Sequence, residues 1–166
     1  RIRTIPDYPK PGIQFKDITP LLGNKDTLEL TSRMLAAPFR GQKVDYVVGL
    51  ESRGFLFGVT IAQYLHAGFV PIRKPNKLPA ETLSVSYELE YGNDSLEIHK
   101  DSISKNSNII IHDDLIATGG TAQAAYQLIN QLGGNVIGFS FVMEISDLKG
   151  KQKLPDSVPF NTVLSV

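Results

Sequence analysis

Residues 109–123, IIIHDDLIATGGTAQ, place two neighbouring carboxylates directly before a loop of small residues. Small residues let a loop turn tightly and bring backbone N–H groups close to a phosphate, and the positive end of a following helix strengthens that attraction. The candidate phosphate site consists of Ala117, Thr118, Gly119, Gly120 and Thr121. The loop lacks the lysine of a nucleotide triphosphate P-loop and the GxGxxG spacing of a dinucleotide site, so both of these sites are excluded. A purely structural role stays open, because a glycine pair between a strand and a helix often only forms a turn.

Asp113 and Asp114 favour a ligand that carries more than a phosphate. Two adjacent carboxylates repel each other and are unfavourable beside a bound anion unless they face something else. Sugar hydroxyls donate hydrogen bonds to carboxylates, and Mg²⁺ binds oxygen ligands while keeping several waters. We therefore predict that both aspartates are exposed and bind ribose hydroxyls or metal-bound water, while the loop binds the 5′-phosphate. Two interpretations of His112 stay open. Its imidazole is either buried and hydrogen-bonded, or it contacts Asp113 or Asp114 and alters their charge.

The composition excludes several other classes of protein. The chain has 166 residues, enough for one domain, which we predict to span residues 1–166. It contains no cysteine, which excludes thiol nucleophiles, zinc–thiolate sites and a disulfide scaffold, so we expect a cytoplasmic protein. Its 17 basic and 17 acidic residues balance, which argues against nucleic acid as a partner. No apolar run approaches the roughly 20 residues that span a bilayer, so no membrane association is expected.

The segments around the loop alternate between predicted strands and helices. Buried strands are predicted over 44–50, 69–74, 108–111 and 136–143, with an edge strand over 160–166. Helices are predicted from 24–26 to about residue 40, within 51–68 and over 121–132. This order predicts an α/β fold with a mostly parallel twisted sheet flanked by helices, in which ligands bind beyond the carboxyl ends of the strands. The proline-rich start of the chain is expected to be extended and rich in turns.

Residues 82–91 differ from the rest because apolar and polar residues alternate strictly. That period of two predicts a strand with one wet face. Residues 92–94, GND, then predict a turn, and SLEIH continues the alternation, so the segment is predicted to be an antiparallel hairpin. Because it lies between buried strands of an alternating pattern, we expect it to be an arm outside the central sheet.

Together these motifs resemble the type I phosphoribosyltransferases. IIIHDDLIATGGT is similar to the segment with which that family binds phosphoribosyl pyrophosphate (PRPP). DYPKPGIQFKDITPLL, GLESRGFLFG, IRKPNKLPAETLSVSYELEYG and LKGKQKLPDSVPFNTVL resemble its adenine-using members in order and spacing. The resemblance implies the type I phosphoribosyltransferase fold, with a base-binding hood segment over 1–23 and a mobile, flexible β-hairpin arm over 75–99. It also implies that adenine displaces pyrophosphate from C1 of PRPP to give AMP, a reaction of purine salvage.

The resemblance also implies roles for residues outside the loop. Glu90 matches the proton-handling glutamate of a mobile hood, and Tyr91 is its neighbour there. Residues that match the adenine pocket are Gln14, Phe15, Lys16 and Leu115, and those that match the pyrophosphate site are Ser52, Arg53, Arg73, Lys74 and Lys77. The implied cofactor is Mg²⁺, held mainly through PRPP and water with no direct protein ligand. The implied assembly is a homodimer, in which the partner subunit supplies one pyrophosphate contact.

Other interpretations of these residues stay open at the level of sequence. Taken alone, Phe15 would suit an ordinary hydrophobic core. Taken alone, Arg53 would suit a solvated surface. A cation at a helix start opposes the helix dipole, however, and this unfavourable placement favours a bound anion beside Arg53. Glu90 alternates with Glu88, and both would suit a solvated hairpin. Some regulatory proteins with this fold bind PRPP without catalysis, but they usually carry a DNA-binding segment and a basic surface, which this sequence does not show.

Overall fold

The computed structural model describes residues 1–89 and 92–166. Its strands are β1 (Arg3–Pro6), β2 (Gln14–Asp17), β3 (Tyr46–Leu50), β4 (Gly68–Ile72), β5 (Thr82–Leu89), β6 (Gly92–His99), β7 (Asn108–Ile116), β8 (Asn135–Glu144) and β9 (Phe160–Ser165). Its helices are α1 (Thr19–Leu22), α2 (Lys25–Ala36), α3 (Gly54–Leu65) and α4 (Gly120–Gln131), with 3₁₀ turns at Ala37–Phe39, Ser146–Leu148 and Gly150–Lys153. Within these described residues, every helix is too short or too polar to cross a membrane.

The predicted parallel sheet is confirmed, and five strands form it in the order β4-β3-β7-β8-β9. Ile109, Ile110 and Ile111 of its middle strand are fully buried, as expected for a parallel strand that is covered on both faces. Helix α4 packs with Ile109 and Ile111 on one face, whereas α2 and α3 pack with Ile110 on the other. The predicted edge position of the last strand, β9, is confirmed as well.

The predicted arm, β5 with β6, is a separate antiparallel sheet. The turn predicted at residues 92–94 is wrong, because Gly92, Asn93 and Asp94 lie in β6 and pair with residues 87–89. This pairing supplies backbone partners that outweigh the turn preference of the three residues. The base of the arm is held to the central sheet by backbone hydrogen bonds between Arg73 and Glu97, at 2.9 and 2.7 Å.

The start of the chain is more regular than its prolines predicted. Strands β1 and β2 pair antiparallel, in a register that places Arg3 opposite Asp17, and their side chains form an ion pair at 2.5 Å. Helix α2 ends four residues before the predicted position, since Pro38 removes a backbone donor and the chain continues as a 3₁₀ turn. Helix α3 ends at Leu65 and is capped by His66 in the left-handed conformation.

Candidate active site

Asp113 and Asp114 lie inside strand β7, because pairing with β8 continues to Ile116. The prediction that the strand ends before the aspartates is therefore wrong. Successive residues of a strand start from opposite faces of its sheet, but the side chain of Asp113 folds back and its Oδ1 accepts a hydrogen bond from the backbone N–H of Asp114 at 2.8 Å. The side chain of Asp114 is only 4% exposed and pairs with Arg53, whereas Asp113 is partly exposed. The prediction of two exposed carboxylates is therefore wrong, because Asp114 is buried and Asp113 is only partly exposed.

Asp113 shares a cavity with the candidate phosphate loop. The cavity has a volume of about 110 Å³, and its lining includes Asp113, Leu115, Ala117, Thr118, Gly119 and Thr121. It lies where β7 ends and α4 begins, so the loop N–H groups and the positive end of a 12-residue helix meet there. One short segment thus places a carboxylate acceptor beside a loop whose N–H groups could bind an anion.

The loop keeps its shape through a close contact with a distant segment. Gly119 has a φ of +79°, and a Cβ atom added to it would overlap the carbonyl oxygen of Gly150. A Cβ atom on Gly150 would overlap the carbonyl oxygen of Ala117. The backbones of the loop and of the 3₁₀ turn at Gly150–Lys153 therefore approach as closely as glycine permits.

The pKa values of both aspartates are raised by their surroundings. Although part of Asp113 faces the cavity, surrounding protein atoms desolvate its carboxylate and raise its pKa well above the usual value, and the neighbouring carboxylate of Asp114 raises it further. Burial also raises the pKa of Asp114, while the guanidinium of Arg53 opposes that rise. A hydroxyl donor or a hydrated cation bound at Asp113 would therefore favour its ionised form.

Arg53 joins the N-terminal segment to the edge of the central sheet. Its Nε lies 3.0 Å from Oδ2 of Asp114, and its Nη1 donates to the carbonyl oxygen of Lys16 at 3.2 Å. Its guanidinium carbon lies 5.1 Å from the centre of the Phe15 ring, within the range of a cation–π contact. The residue predicted for pyrophosphate binding thus also contacts two residues predicted for adenine binding.

The other predicted adenine residues surround the same region. Phe15 is half-buried and packs edge-on against Tyr8 at 5.2 Å, outside the two core clusters formed by the described residues. Gln14 is exposed at the start of β2, and Leu115 lines the phosphate-loop cavity. The surface position of Phe15 favours the binding interpretation over the core interpretation.

Two of the predicted pyrophosphate cations are organised by Glu51. Its Oε1 accepts a hydrogen bond from Arg73 at 3.1 Å, and its Oε2 accepts one from the backbone N–H of Lys74 at 2.8 Å. Desolvation raises the pKa of Glu51, but these two contacts outweigh it and lower the pKa overall. The Lys74 ammonium forms an ion pair with Asp94 of the arm. Ser52 and Lys77 are exposed, in the turn before α3 and after β4 respectively.

Known proteins resemble this chain along nearly its whole length. A model of the family described as "Phosphoribosyl transferase domain" matches residues 24–165. The adenine phosphoribosyltransferase of Microcystis aeruginosa is 54% identical to this chain, and the match covers 98% of this chain and 95% of that protein. The chain belongs to the adenine phosphoribosyltransferase family.

Solved structures of the family share the fold of this phosphoribosyltransferase. The adenine phosphoribosyltransferase of Rhodothermus marinus has a TM-score of 0.96 and 52% identity, and the match covers 99% of this chain and 94% of that one. The Saccharomyces cerevisiae enzyme, complexed with D-2,5-dideoxy-2,5-imino-altritol 1,6-bisphosphate and adenine, has a TM-score of 0.92 and 46% identity, over 98% of this chain and 94% of that one.

Sequence reasoning missed several residues that contact the predicted site residues. Glu51 and Gly150 stood in segments that resemble the family, but their types alone indicated no role. Tyr87 and Asp94 were assigned only to the alternation and the turn of the arm. In each case the contact is made with a partner from another segment of the chain, which no local pattern reveals. The predicted roles of Glu90 and Tyr91 concern residues that lie outside the described part of the structure.

His112 is completely buried on the central strand, which favours its structural interpretation. The register of β7 with β8 places it beside Ser140, which is also buried. Within the described residues, neither ring nitrogen of His112 nor the Oγ of Ser140 has a hydrogen-bond partner. Burial lowers the pKa of the imidazole to about 3 and outweighs a contact with the backbone of Ser140, which raises it.

Proposed function

We propose that this protein transfers the 5-phosphoribosyl group from PRPP to adenine, giving AMP and pyrophosphate in purine salvage. The observation that carries this proposal is the shared cavity of Asp113 and the phosphate loop, which suits a phosphorylated ribose bound at both ends. The names of the Microcystis and Rhodothermus relatives support adenine as the acceptor. We expect the enzyme in the cytoplasm together with these charged metabolites.

In this proposal one strand–loop–helix segment binds the ribose phosphate. The N–H groups and hydroxyls of residues 117–121 donate to the 5′-phosphate, helped by the positive end of α4. Asp113 accepts hydrogen bonds from the ribose hydroxyls. Asp114 is too buried to do the same without moving, so its main role is to hold Arg53 in place through their 3.0 Å ion pair.

The pyrophosphate is proposed to bind the basic residues that follow β3 and β4. Substitution at C1 proceeds through an oxocarbenium-like transition state, and negative charge develops on the leaving group. Cationic side chains that are already oriented stabilise that charge. The residues proposed for this role are Ser52, Arg53, Arg73, Lys74 and Lys77. Glu51 orients Arg73 and Lys74.

Mg²⁺ suits this site as an ion held by substrate oxygens and water. Among the described residues, no group of three His, Cys, Asp or Glu side chains could hold a metal ion. The partly exposed carboxylate of Asp113 is an oxygen acceptor of the kind that metal-bound water prefers. When bound, Mg²⁺ neutralises charge on the pyrophosphate oxygens and makes them a better leaving group.

The base is proposed to bind between the N-terminal segment and the end of β7. Phe15 offers a half-buried aromatic face for stacking, and Leu115 offers an apolar surface beside the cavity. Backbone groups at Gln14 and Lys16 would read the ring nitrogens and the exocyclic amine. Because Arg53 contacts both Phe15 and Asp114, the base and sugar positions are mechanically linked.

A direct assay tests the proposal. The protein is incubated with PRPP, Mg²⁺ and one purine base at a time, and pyrophosphate and nucleotide are quantified. We expect stoichiometric AMP and pyrophosphate with adenine and much less product with hypoxanthine or guanine. PRPP binding without turnover of any base would contradict the proposal and indicate a regulatory PRPP-binding protein.

Replacing Glu90 with glutamine should lower kcat by about 10²-fold or more, because it removes a group that moves a proton at the base. The affinity for PRPP should stay close to that of the wild type, since the amide keeps the size of the side chain. Steady-state kinetics and PRPP titration separate the two effects. The exposed neighbour Glu88, replaced by glutamine, is the matched control and should retain turnover. Equal losses in kcat and affinity would show that Glu90 is not the proton carrier.

We further propose that the protein is a homodimer that packs through α3. Leu56 and Val59 are exposed on this helix although both are large and apolar. Helix α3 begins beside Arg53, so a partner subunit on this face would lie near the pyrophosphate residues. The double variant Leu56→Glu, Val59→Glu should be a monomer by sedimentation velocity, and Leu164→Glu on the edge strand should remain a dimer. A double variant that sediments as a dimer would refute this interface.

A further inference from the structure

Each of three cations proposed for the pyrophosphate site has a carboxylate partner. The pairs are Arg53 with Asp114, Arg73 with Glu51, and Lys74 with Asp94. The carboxylate side chains differ in exposure, which is 4% for Asp114, 14% for Glu51 and 28% for Asp94. The Lys74 pair is therefore the one most open to exchange with a bound anion.

The two members of this pair belong to different parts of the molecule. Lys74 follows β4 of the central sheet, and its backbone is held by the 2.8 Å hydrogen bond to Glu51. Asp94 lies on β6, near the far end of the hairpin arm. The side chain of Lys74 is 37% exposed, so its ammonium can change partners while its backbone stays in place.

Tyr87 connects the same pair to the phosphate loop. Its hydroxyl accepts a hydrogen bond from Nζ of Lys74 at 2.9 Å and donates one to Oδ2 of Asp94 at 3.2 Å. The hydroxyl of Thr121 lies 3.5 Å from the hydroxyl oxygen of Tyr87. Lys74, Tyr87 and Asp94 thus join the arm to both proposed anion sites, and we call these three residues the arm latch.

We propose that Asp94 competes with pyrophosphate for the ammonium of Lys74 and so sets the affinity for this group. The inference rests on the proposed function, which places the pyrophosphate of PRPP beside Lys74. Because the Asp94 carboxylate is ion-paired with the Lys74 ammonium, it must be displaced, at least in part, before phosphate oxygens can bind this ammonium. Asp94 therefore weakens pyrophosphate binding and favours release of the product, and binding loosens the arm latch.

The test measures binding of inorganic pyrophosphate with Mg²⁺ by isothermal titration calorimetry. Asp94→Asn keeps the size of the side chain but removes its charge, and should bind pyrophosphate about 5-fold more tightly than the wild type. Asp94→Glu keeps the charge and should bind like the wild type. Asp101→Asn makes the same change in net charge in the exposed turn after β6 and should also bind like the wild type. In a Lys74→Met background, Asp94→Asn should alter the affinity by less than about 2-fold.

The outcomes separate this inference from the proposed function. Wild-type protein that fails to bind pyrophosphate would contradict the proposed function itself. If the wild type binds, an unchanged or weaker affinity in Asp94→Asn would overturn the competition. The competition would also be overturned if Asp101→Asn gave the same gain in affinity, or if Asp94→Asn kept its full gain in the Lys74→Met background. Either result would assign the gain to the change in net charge of the protein.

Discussion

Replacing Gly150 with alanine should lower kcat/KM for PRPP by about 10³-fold, the size of effect seen when preorganised donors are lost from an anion site. The added Cβ would overlap the carbonyl oxygen of Ala117, so the phosphate loop must move away from the 3₁₀ turn. Its N–H groups would then no longer converge on the 5′-phosphate. Steady-state kinetics with PRPP as the varied substrate measure the effect.

The fold should survive this change, because Gly150 lies outside the central sheet. Far-UV circular dichroism of the variant should therefore match the wild type. Lys151→Ala is the control, since it alters the neighbouring exposed position of the same turn without adding an atom beside the loop. A kcat/KM for Gly150→Ala within about threefold of the control would mean that the loop does not depend on this close approach.

His112 should make the protein less stable in acid. Its pKa is about 3 in the folded protein and 6.5 for an unperturbed histidine. Below pH 6.5 the unfolded chain gains a proton that the folded protein does not bind, so stability is full above this pH and falls as the pH drops towards 3. Between about pH 7.5 and about pH 5 this one group should cost the wild type about 2 kcal/mol of unfolding free energy.

Urea unfolding of His112→Val at the same two pH values tests this. The variant should lose about 2 kcal/mol less than the wild type on acidification. At the higher pH the variant should be about as stable as the wild type. Removing a buried polar group without a well-formed hydrogen bond stabilises the fold, and this gain offsets the packing lost with the smaller valine side chain. His99→Asn, on the partly exposed end of the arm, should retain the loss shown by the wild type. The same acid sensitivity in His112→Val and the wild type would assign it to other groups.

Local patterns in the sequence predicted the architecture well. The β-branched run at Ile109–Ile111 predicted a strand buried on both faces, and the strict alternation of residues 82–91 predicted an arm outside the sheet. The small residues at 117–121 predicted a loop before a helix. Helix α4 begins within this segment, at Gly120, and Ala117, Thr118, Gly119 and Thr121 line a cavity with Asp113. These features were accessible because period, β-branching and glycine content act over a few neighbouring residues.

What the sequence determined by itself is the order of the elements and the types of residue available to the site. The tertiary structure decided how those residues are used. Asp113 and Asp114 are adjacent and identical, yet one lines the cavity and the other is buried against Arg53, because pairing with β8 extends β7 past both. The roles of Gly150 and Asp94 likewise depend on partners from other segments. Burial and charge pairing are set by whichever segments meet in space, and the free energy of an ionised group depends on those neighbours more than on its position in the chain.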